Sequence, residues 1–261
     1  MNNENGEKKR IFLLDEIRGF CVFVMIIYHA YFVMNDFYSI GAAGWLYDFF
    51  TPLEPIFAGV FISICGLSCT LSHNNLKRGL KVLAAAAAFS LVTCVILPHF
   101  DVYGAEVYFG ILHFLAVSIL IFIPLKKLFY KIDPRIGVVA CAVLFFFFRN
   151  IEKGSLGFSP PLTFNLPDWL YTHYYLVPFG MYPQGFTTAD YFPLLPFIFI
   201  FFAGVFLGVW FQKNGYPDFA YKKRVPFFDY LGRHAFIVYL AHIPVIALIV
   251  YGVLSALKIF S

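Results

Sequence analysis

Seven apolar runs, separated by short polar segments, dominate the sequence. They cover approximately residues 11–34, 53–72, 80–97, 107–125, 136–148, 191–211 and 229–257. A helix of about 20 apolar residues satisfies its own backbone hydrogen bonds and can cross a bilayer. Only 13% of the residues are charged, whereas soluble domains carry roughly 25%. We therefore predict an all-α protein, a polytopic membrane helix bundle of about seven transmembrane helices.

The distribution of lysine and arginine predicts how the bundle is oriented. With the N-terminus inside, the segments assigned to the inner side carry most of the basic residues, as cytoplasmic loops do. We predict a multi-pass protein of the cell membrane with a cytoplasmic tail over 1–10 and a single transmembrane domain over 11–258. An extracytoplasmic loop is expected over 149–190, in which Trp169–Met181 could instead form a re-entrant or interfacial helix. The segments 72–79 and 126–135 are predicted to be basic inner loops.

The first apolar run contains ionisable residues. Arg18 and His29 are eleven positions apart, which at about 100° per residue puts both on one helix face, roughly 16 Å apart along the axis. Asp15, one turn before Arg18, is predicted to pair with it. Because ionisable groups are unfavourable against lipid, we expect this face to line the bundle interior or a hydrated cavity. Alternatively, Arg18 snorkels to a headgroup and His29 caps a helix end.

Other spans also carry ionisable residues. His113 is predicted at a depth similar to that of His29. His242 lies near the middle of the last span, just before Pro244, which loosens the backbone hydrogen bonding there. Arg233 lies at the inner end of that span. Each could instead be a histidine bonded to a neighbouring helix or an arginine at a headgroup.

The predicted outer loop, 149–190, combines aromatic rings, prolines and polar side chains. Aromatic faces such as that of Trp169 suit stacking under a sugar ring, with hydrogen bonds at its rim from groups such as Asp190. An aromatic belt at the membrane surface is the competing interpretation.

The five cysteines fall inside the apolar runs, at Cys21, Cys65, Cys69, Cys94 and Cys141. None has the paired spacing and histidine partners of a zinc site. We expect buried thiols and no metal.

Several motifs resemble those of one enzyme family. Residues 10–19 resemble the opening R-x-x-x-L-D-x-x-R-G of the heparan-alpha-glucosaminide N-acetyltransferase catalytic domain family. Arg18 and His29 match the R-x10-H pattern of the wider transmembrane acyltransferase superfamily. The resemblance continues at 64–68, 75–79, 109–113, 190–196 and 231–244.

The resemblance implies acyl transfer across the membrane, from cytoplasmic acetyl-coenzyme A to an extracytoplasmic sugar or glycan. It also implies that His29 is catalytic. The residues fit this role, because a histidine titrates near neutrality and can take a proton from an attacking amine or hydroxyl. The phosphates of coenzyme A need cations, for which the candidates are Arg18, Lys77, Arg78, Lys223, Arg224 and Arg233.

We therefore predict an acyl-coenzyme A-dependent glycan-modifying acyltransferase with His29 as general base and Asp15 orienting Arg18. Direct transfer and an acetyl-histidine intermediate both remain open. The candidates to support His29 or hold the acceptor are His113, Asp190, His242 and Trp169. The expected partners are the bilayer, acetyl-coenzyme A and a sugar acceptor, without nucleic acid, and a homo-oligomer is left open.

Two other functions are compatible with the same residues. A proton-coupled small-molecule transporter would also use intramembrane His, Arg and Asp, although the chain shows no repeated half with matching interrupted helices. A non-catalytic scaffold would have no affinity for coenzyme A.

Overall fold

The computed structural model describes residues 10–37 and 41–260, most of which are helical. Of the predicted cytoplasmic tail, 1–10, only Arg10 is among the described residues. The α-helices of the described chain are α1 (Phe12–Phe32), α2 (Gly41–Phe50), α3 (Glu54–Leu71), α4 (Asn75–Leu91), α5 (Ile111–Lys131), α6 (Pro134–Phe148), α7 (Leu194–Asn214), α8 (Pro226–Arg233) and α9 (Ala235–Phe260). A π-helical turn (Val33–Phe37) follows α1, and a π-helical turn (Val92–Ile96) and a 3-10 turn (Leu97–Phe100) follow α4.

Seven of the described helical segments are long and apolar enough to cross a membrane. They are Phe12–Asn35, Glu54–Leu71, Asn75–Phe100, Ile111–Lys131, Pro134–Lys153, Leu194–Asn214 and Ala235–Val253. The prediction of an all-α bundle with seven spans is confirmed. The cytoplasmic N-terminus and the cell membrane stay predictions.

Two segments predicted as basic loops are partly helical, which corrects the predicted boundaries. α4 begins at Asn75, because the side chain of Asn74 accepts a hydrogen bond from the backbone N–H of Lys77 at 2.8 Å and caps the helix. α5 continues to Lys131. The length of an apolar run is set by the thickness of the bilayer. A helix can extend beyond that run, because it ends where its free backbone N–H and C=O groups find other partners.

The predicted seventh span, 229–257, is interrupted. α8 ends at Arg233, and α9 begins at Ala235. The N–H of His234 between them bonds to the carbonyls of Tyr230 and Leu231, at 3.2 Å each. The first part of the predicted span therefore belongs to a separate short helix.

The described chain forms two compact units. The first contains the residues up to Phe61 and those from Tyr216 onwards. In it, α1 crosses α8 where Gly19 meets the carbonyl oxygen of Phe228 and Gly232 meets that of Asp15. A Cβ atom at either glycine would collide with backbone. The crossing therefore depends on both glycines.

The second unit spans residues 62–215. Its α3 and α7 approach closely where Gly66 meets the carbonyl of Phe201, Gly204 meets that of Ser63, and Gly208 meets Thr70. Small residues at these three positions let the backbones of the two helices approach closely, as is typical of helix contacts in membranes.

Two loops of the second unit are joined to each other. The N–H of Ala189 donates to the carbonyl of Glu106 at 2.9 Å, and that of Phe192 donates to Phe109 at 3.2 Å. With seven spans, the loops before α5 and before α7 emerge on the same side of the membrane. We call these loops, 101–110 and 149–193, the cap.

The cap contains short elements rather than a membrane helix. A two-stranded antiparallel hairpin pairs β1 (Ser155–Gly157) with β2 (Thr163–Asn165). The region in which a re-entrant or interfacial helix was considered forms two 3-10 turns, Asp168–Tyr171 and Tyr174–Phe179. The described residues 154–193 contain no segment long enough to span.

Candidate active site

The beginning of α1 carries the first part of the site. The Asp15 carboxylate lies 2.9 Å from Arg18 Nη1, which confirms the predicted pair, and 2.7 Å from Arg10 Nη2, which was not predicted. The side chains of Asp15 and Arg18 are only 14% and 21% exposed. One carboxylate thus holds two guanidinium groups in place, and a net positive charge remains.

A second carboxylate, Asp229 of α8, also binds two cations. Its side chain is fully buried, and its Oδ2 lies 2.8 Å from Lys223 Nζ and 2.9 Å from Arg233 Nη2. Burial alone would raise the pKa of Asp229, but the hydrogen bond from Lys223 and the charge of Arg233 hold it below its ordinary value. The carboxylate stays ionised and fixes two of the residues predicted to bind coenzyme A.

A third carboxylate, Glu16, fixes the segment before α8. Its Oε1 accepts hydrogen bonds from the backbone N–H groups of Arg224 at 2.6 Å and Val225 at 2.9 Å. Glu16 is an acidic residue in an apolar helix and is nevertheless only 7% exposed. The guanidinium of Arg224 is 5.3 Å from the ring centroid of Phe219.

The three carboxylates and the glycine crossing bring five basic residues of the first unit towards the start of α1. We call them the basic cluster, and its members are Arg10, Arg18, Lys223, Arg224 and Arg233. Four of them were predicted from the sequence to bind coenzyme A, whereas Arg10 and the role of Glu16 were not predicted. The one available signal was an additional acidic residue next to Asp15 in an apolar helix.

Lys77 and Arg78, also predicted to bind coenzyme A, belong to the second unit. The Arg78 guanidinium points to α3, where its nitrogens lie 3.0 Å from Cys65 Sγ and 3.7 Å from Cys69 Sγ. Lys77 is exposed in the first turn of α4. Their binding of coenzyme A stays a prediction.

Near the other end of α1, His29 meets a second histidine. The ring centroids of His29 and His242 are 4.8 Å apart, and the ring planes are inclined by 70°. Tyr28 and Phe32 also contact the His29 ring edge to face, at 5.3 and 6.5 Å. Both histidines were predicted site residues, but their contact was not predicted.

The hydrogen bonds of the two histidines assign their protons. His29 Nδ1 lies 2.8 Å from the carbonyl oxygen of Met25, and His242 Nδ1 lies 2.6 Å from that of Tyr239. Because a carbonyl oxygen only accepts, each Nδ1 carries the hydrogen, and in a neutral ring the lone pair is on Nε2. His242 Nε2 is buried and has no hydrogen-bond partner among the described residues. Each ring can therefore accept a proton at Nε2.

His113, in the second unit, has the opposite tautomer. Ser90 donates its hydroxyl hydrogen to the Val107 carbonyl at 2.5 Å, so it accepts from His113 Nε2 at 3.3 Å. The lone pair is then on Nδ1, which is buried without a partner in the described part of the chain.

Asp190 and Trp169 belong to the cap. Asp190 Oδ2 accepts from the backbone N–H of Ile111 at 3.1 Å, beside Gly110, and so satisfies an N-terminal donor of α5. Trp169 is 60% exposed. The roles predicted for His113, Asp190 and Trp169 relative to His29 involve both units and stay predictions. Among the described residues, no group of three or more His, Cys, Asp or Glu could hold a metal ion.

Comparison with known proteins identifies the family. Residues 10–244 match the family described as "Heparan-alpha-glucosaminide N-acetyltransferase, catalytic". The match includes the basic cluster, both contacting histidines and the cap. No curated protein and no solved structure matches the chain. Because the match covers most of the sequence, from the start of α1 into α9, the chain belongs to the heparan-alpha-glucosaminide N-acetyltransferase catalytic family.

Proposed function

We propose that the protein transfers an acetyl group from cytoplasmic acetyl-coenzyme A to a hydroxyl or amine of an extracytoplasmic sugar or glycan, with His29 as general base. The family supports a membrane acetyltransferase. The observation that carries the role of His29 is its hydrogen bond from Nδ1 to the Met25 carbonyl, because that bond leaves the lone pair on Nε2.

The reaction needs one proton acceptor and returns one proton. In direct transfer, the acceptor O–H or N–H gives its proton to His29 Nε2 as the oxygen or nitrogen attacks the thioester carbonyl. The C–S bond then breaks, and the coenzyme A thiolate takes the proton from the imidazolium. In the alternative, Nε2 attacks the thioester carbonyl, the C–S bond breaks and the coenzyme A thiolate leaves. The acceptor oxygen or nitrogen then attacks the acetyl group on the histidine, the N–C bond breaks, and the acceptor's proton passes to the thiolate.

His242 is the supporting residue that the contacts favour. Its ring touches that of His29, and its Nε2 has no other partner among the described residues. We assign it to orienting the His29 ring and to stabilising the proton that His29 receives.

The basic cluster supports the binding of coenzyme A. It combines five cations with the three carboxyl groups of Asp15, Glu16 and Asp229, so a net positive charge remains for the phosphates. Arg18 and His29 are roughly 16 Å apart along α1, a distance of the same order as the pantetheine arm. A coenzyme A bound at the cluster could therefore extend along α1 and present its thioester near His29.

The test is His29→Gln in proteoliposomes supplied with labelled acetyl-coenzyme A. Loss of the base is expected to reduce transfer by about 10²- to 10⁴-fold. The control is His234→Gln, because His234 Nδ1 makes the same kind of bond to a carbonyl, that of Tyr230 at 2.9 Å, outside the histidine pair. Full activity in folded His29→Gln protein would refute the proposed role.

The histidine pair also supports a second candidate, the proton-coupled transporter. Two contacting histidines in membrane helices, one of which has no partner at Nε2 among the described residues, are typical of proton relays. Uptake of a labelled sugar into the same proteoliposomes without any acyl donor would favour it, and uptake that requires acetyl-coenzyme A would count against it.

A further inference from the structure

The cap of the second unit contains a pocket that the proposed reaction does not yet use. It has a volume of about 400 Å³ and is lined by eight residues, among them Tyr108, Tyr174, Phe186 and Thr187. This volume lies within the roughly 300–1,000 Å³ of small-molecule sites. Both loops of the cap contribute to its walls.

A tight turn presents the central ring of the pocket. The N–H of Phe186 bonds to the carbonyl of Pro183 at 3.2 Å, and Gly185 between them has φ +84°. A positive φ at the third position of a turn favours glycine. The Phe186 ring then lies 5.8 Å from that of Tyr108 and 6.4 Å from that of Tyr174. The rings of Tyr108, Tyr174 and Phe186 thus form the aromatic wall of the pocket.

The tyrosine hydroxyl groups of the cap divide into two classes. Those of Tyr182 and Tyr191 serve the fold, since they donate to Glu152 Oε2 at 3.3 Å and to the Val177 carbonyl at 2.7 Å. Tyr108 and Tyr174 are 53% and 67% exposed, and within the described chain their hydroxyls make no hydrogen bond. A ligand in the pocket would meet both the faces of these rings and their free hydroxyl groups.

The pocket has no charged lining residue. The nearest carboxylates along the chain, those of Glu106 and Asp190, do not line the pocket; Glu106 accepts from the N–H of Gly104 at 2.8 Å and Asp190 from that of Ile111 at 3.1 Å. An ammonium group bound between these rings would find no anionic partner in the walls. A neutral sugar ring needs an aromatic face for its C–H side and hydrogen bonds for its hydroxyls.

We propose that this pocket binds an uncharged pyranose unit of the acceptor, so that the cap recognises neutral sugar rings rather than the cation of an amino sugar. This inference rests on the proposed transfer to an extracytoplasmic sugar. It specifies the chemistry of the acceptor at a site that the basic cluster and the histidine pair do not include.

The test compares two trisaccharides that differ only at C2, cellotriose with hydroxyl groups and the β-1,4-linked glucosamine trimer with ammonium groups. Dissociation constants are measured by ligand-observed NMR titration of the full chain in nanodiscs, without acyl donor. Cellotriose is expected to bind at least about five times more tightly. Equal or tighter binding of the glucosamine trimer would overturn the inference.

Variants connect the binding to the pocket. Removing one stacking ring by Tyr174→Ala is expected to weaken cellotriose binding about tenfold. Tyr103→Ala is the matched control, since Tyr103 is a 65% exposed tyrosine of the same cap that does not line the pocket. Phe186→Leu, which keeps an apolar side chain in the turn, provides a second variant with the same expected direction. Unchanged cellotriose binding in both pocket variants would also refute the site.

The outcome for the pocket is separable from that for the enzyme. Acetyl transfer to the glucosamine trimer by protein that does not bind cellotriose would overturn the pocket inference and leave the proposed function standing. Absence of acetyl-coenzyme A binding, in protein that does bind cellotriose, would overturn the proposed function and leave the sugar pocket standing.

Discussion

Removing the Glu16 carboxylate is predicted to destabilise the protein strongly, whereas replacing it by an amide is not. Both backbone N–H groups that Glu16 binds, those of Arg224 and Val225, donate to the same atom, Oε1, at 2.6 and 2.9 Å. An amide oxygen also has two lone pairs, so Glu16→Gln can keep both bonds. Glu16→Ala leaves two donors without an acceptor in a part-buried site.

The magnitude follows from the number of donors. An unsatisfied buried donor costs about 1–3 kcal/mol, so we expect Glu16→Ala to lower the free energy of unfolding by about 2–6 kcal/mol. Glu16→Gln loses only the charge assistance, for which we expect about 1–2 kcal/mol. Because the bonds fix the segment that carries Lys223 and Arg224, Glu16→Ala should also weaken acetyl-coenzyme A binding.

The assay is thermal unfolding of the purified variants in detergent, with and without coenzyme A. Glu106→Ala is the control, since this glutamate accepts one backbone N–H, that of Gly104 at 2.8 Å, in an exposed turn. The expected order of stability is wild type, Glu16→Gln, then Glu16→Ala, with Glu106→Ala close to wild type. Equal melting temperatures for the two Glu16 variants would refute the reasoning.

Three further predictions concern the same framework. Asp229→Asn should reduce stability by about 2 kcal/mol at neutral pH. Because the pKa of Asp229 is lowered in the fold, its contribution is present above the ordinary carboxyl pKa and is lost as the pH falls through the native value, so wild type and variant should converge in acid melting curves. Gly66→Ala should destabilise by about 1–3 kcal/mol or more, because its Cβ would meet the Phe201 backbone, whereas Gly252→Ala, with nothing within 4 Å, should not; equal denaturation midpoints would contradict this. Arg18→Ala should mainly raise the dissociation constant of coenzyme A, about tenfold for one charge-assisted contact, and an unchanged constant by calorimetry would reject its role.

Features that depend on local spacing could be predicted from the sequence. The seven spans follow from the length of the apolar runs, since a bilayer imposes that length on any helix that crosses it. The Asp15–Arg18 pair follows from helical periodicity alone. The spacing of Gly204 and Gly208, one turn apart, is typical of a close helix contact, although it does not indicate which helix is the partner.

Features that depend on distant contacts could not be predicted. Glu16 and Arg224 are 208 positions apart, and no pattern in either segment names the other. The contact of His29 with His242 likewise depends on how α9 lies against α1. The contact of Arg78 with the cysteines of α3 could not be predicted either. Arg78 lies in a basic segment that was expected to be a loop, and the cysteines were expected to be buried apolar residues.

The carboxylates that contact the basic cluster suggest how the proposed coenzyme A site is built next to a membrane helix. Five basic side chains without counterions would repel one another and would be free to adopt many rotamers. Asp15 and Asp229 each hold two of them at 2.7–2.9 Å, and Glu16 fixes the backbone of the fifth, Arg224. Each carboxylate reduces the charge available to a phosphate but removes the entropy that the phosphate would otherwise have to overcome. The cluster should therefore hold a phosphate in a better defined position than a disordered basic loop of the same composition, and presenting a thioester to a fixed histidine requires such positioning.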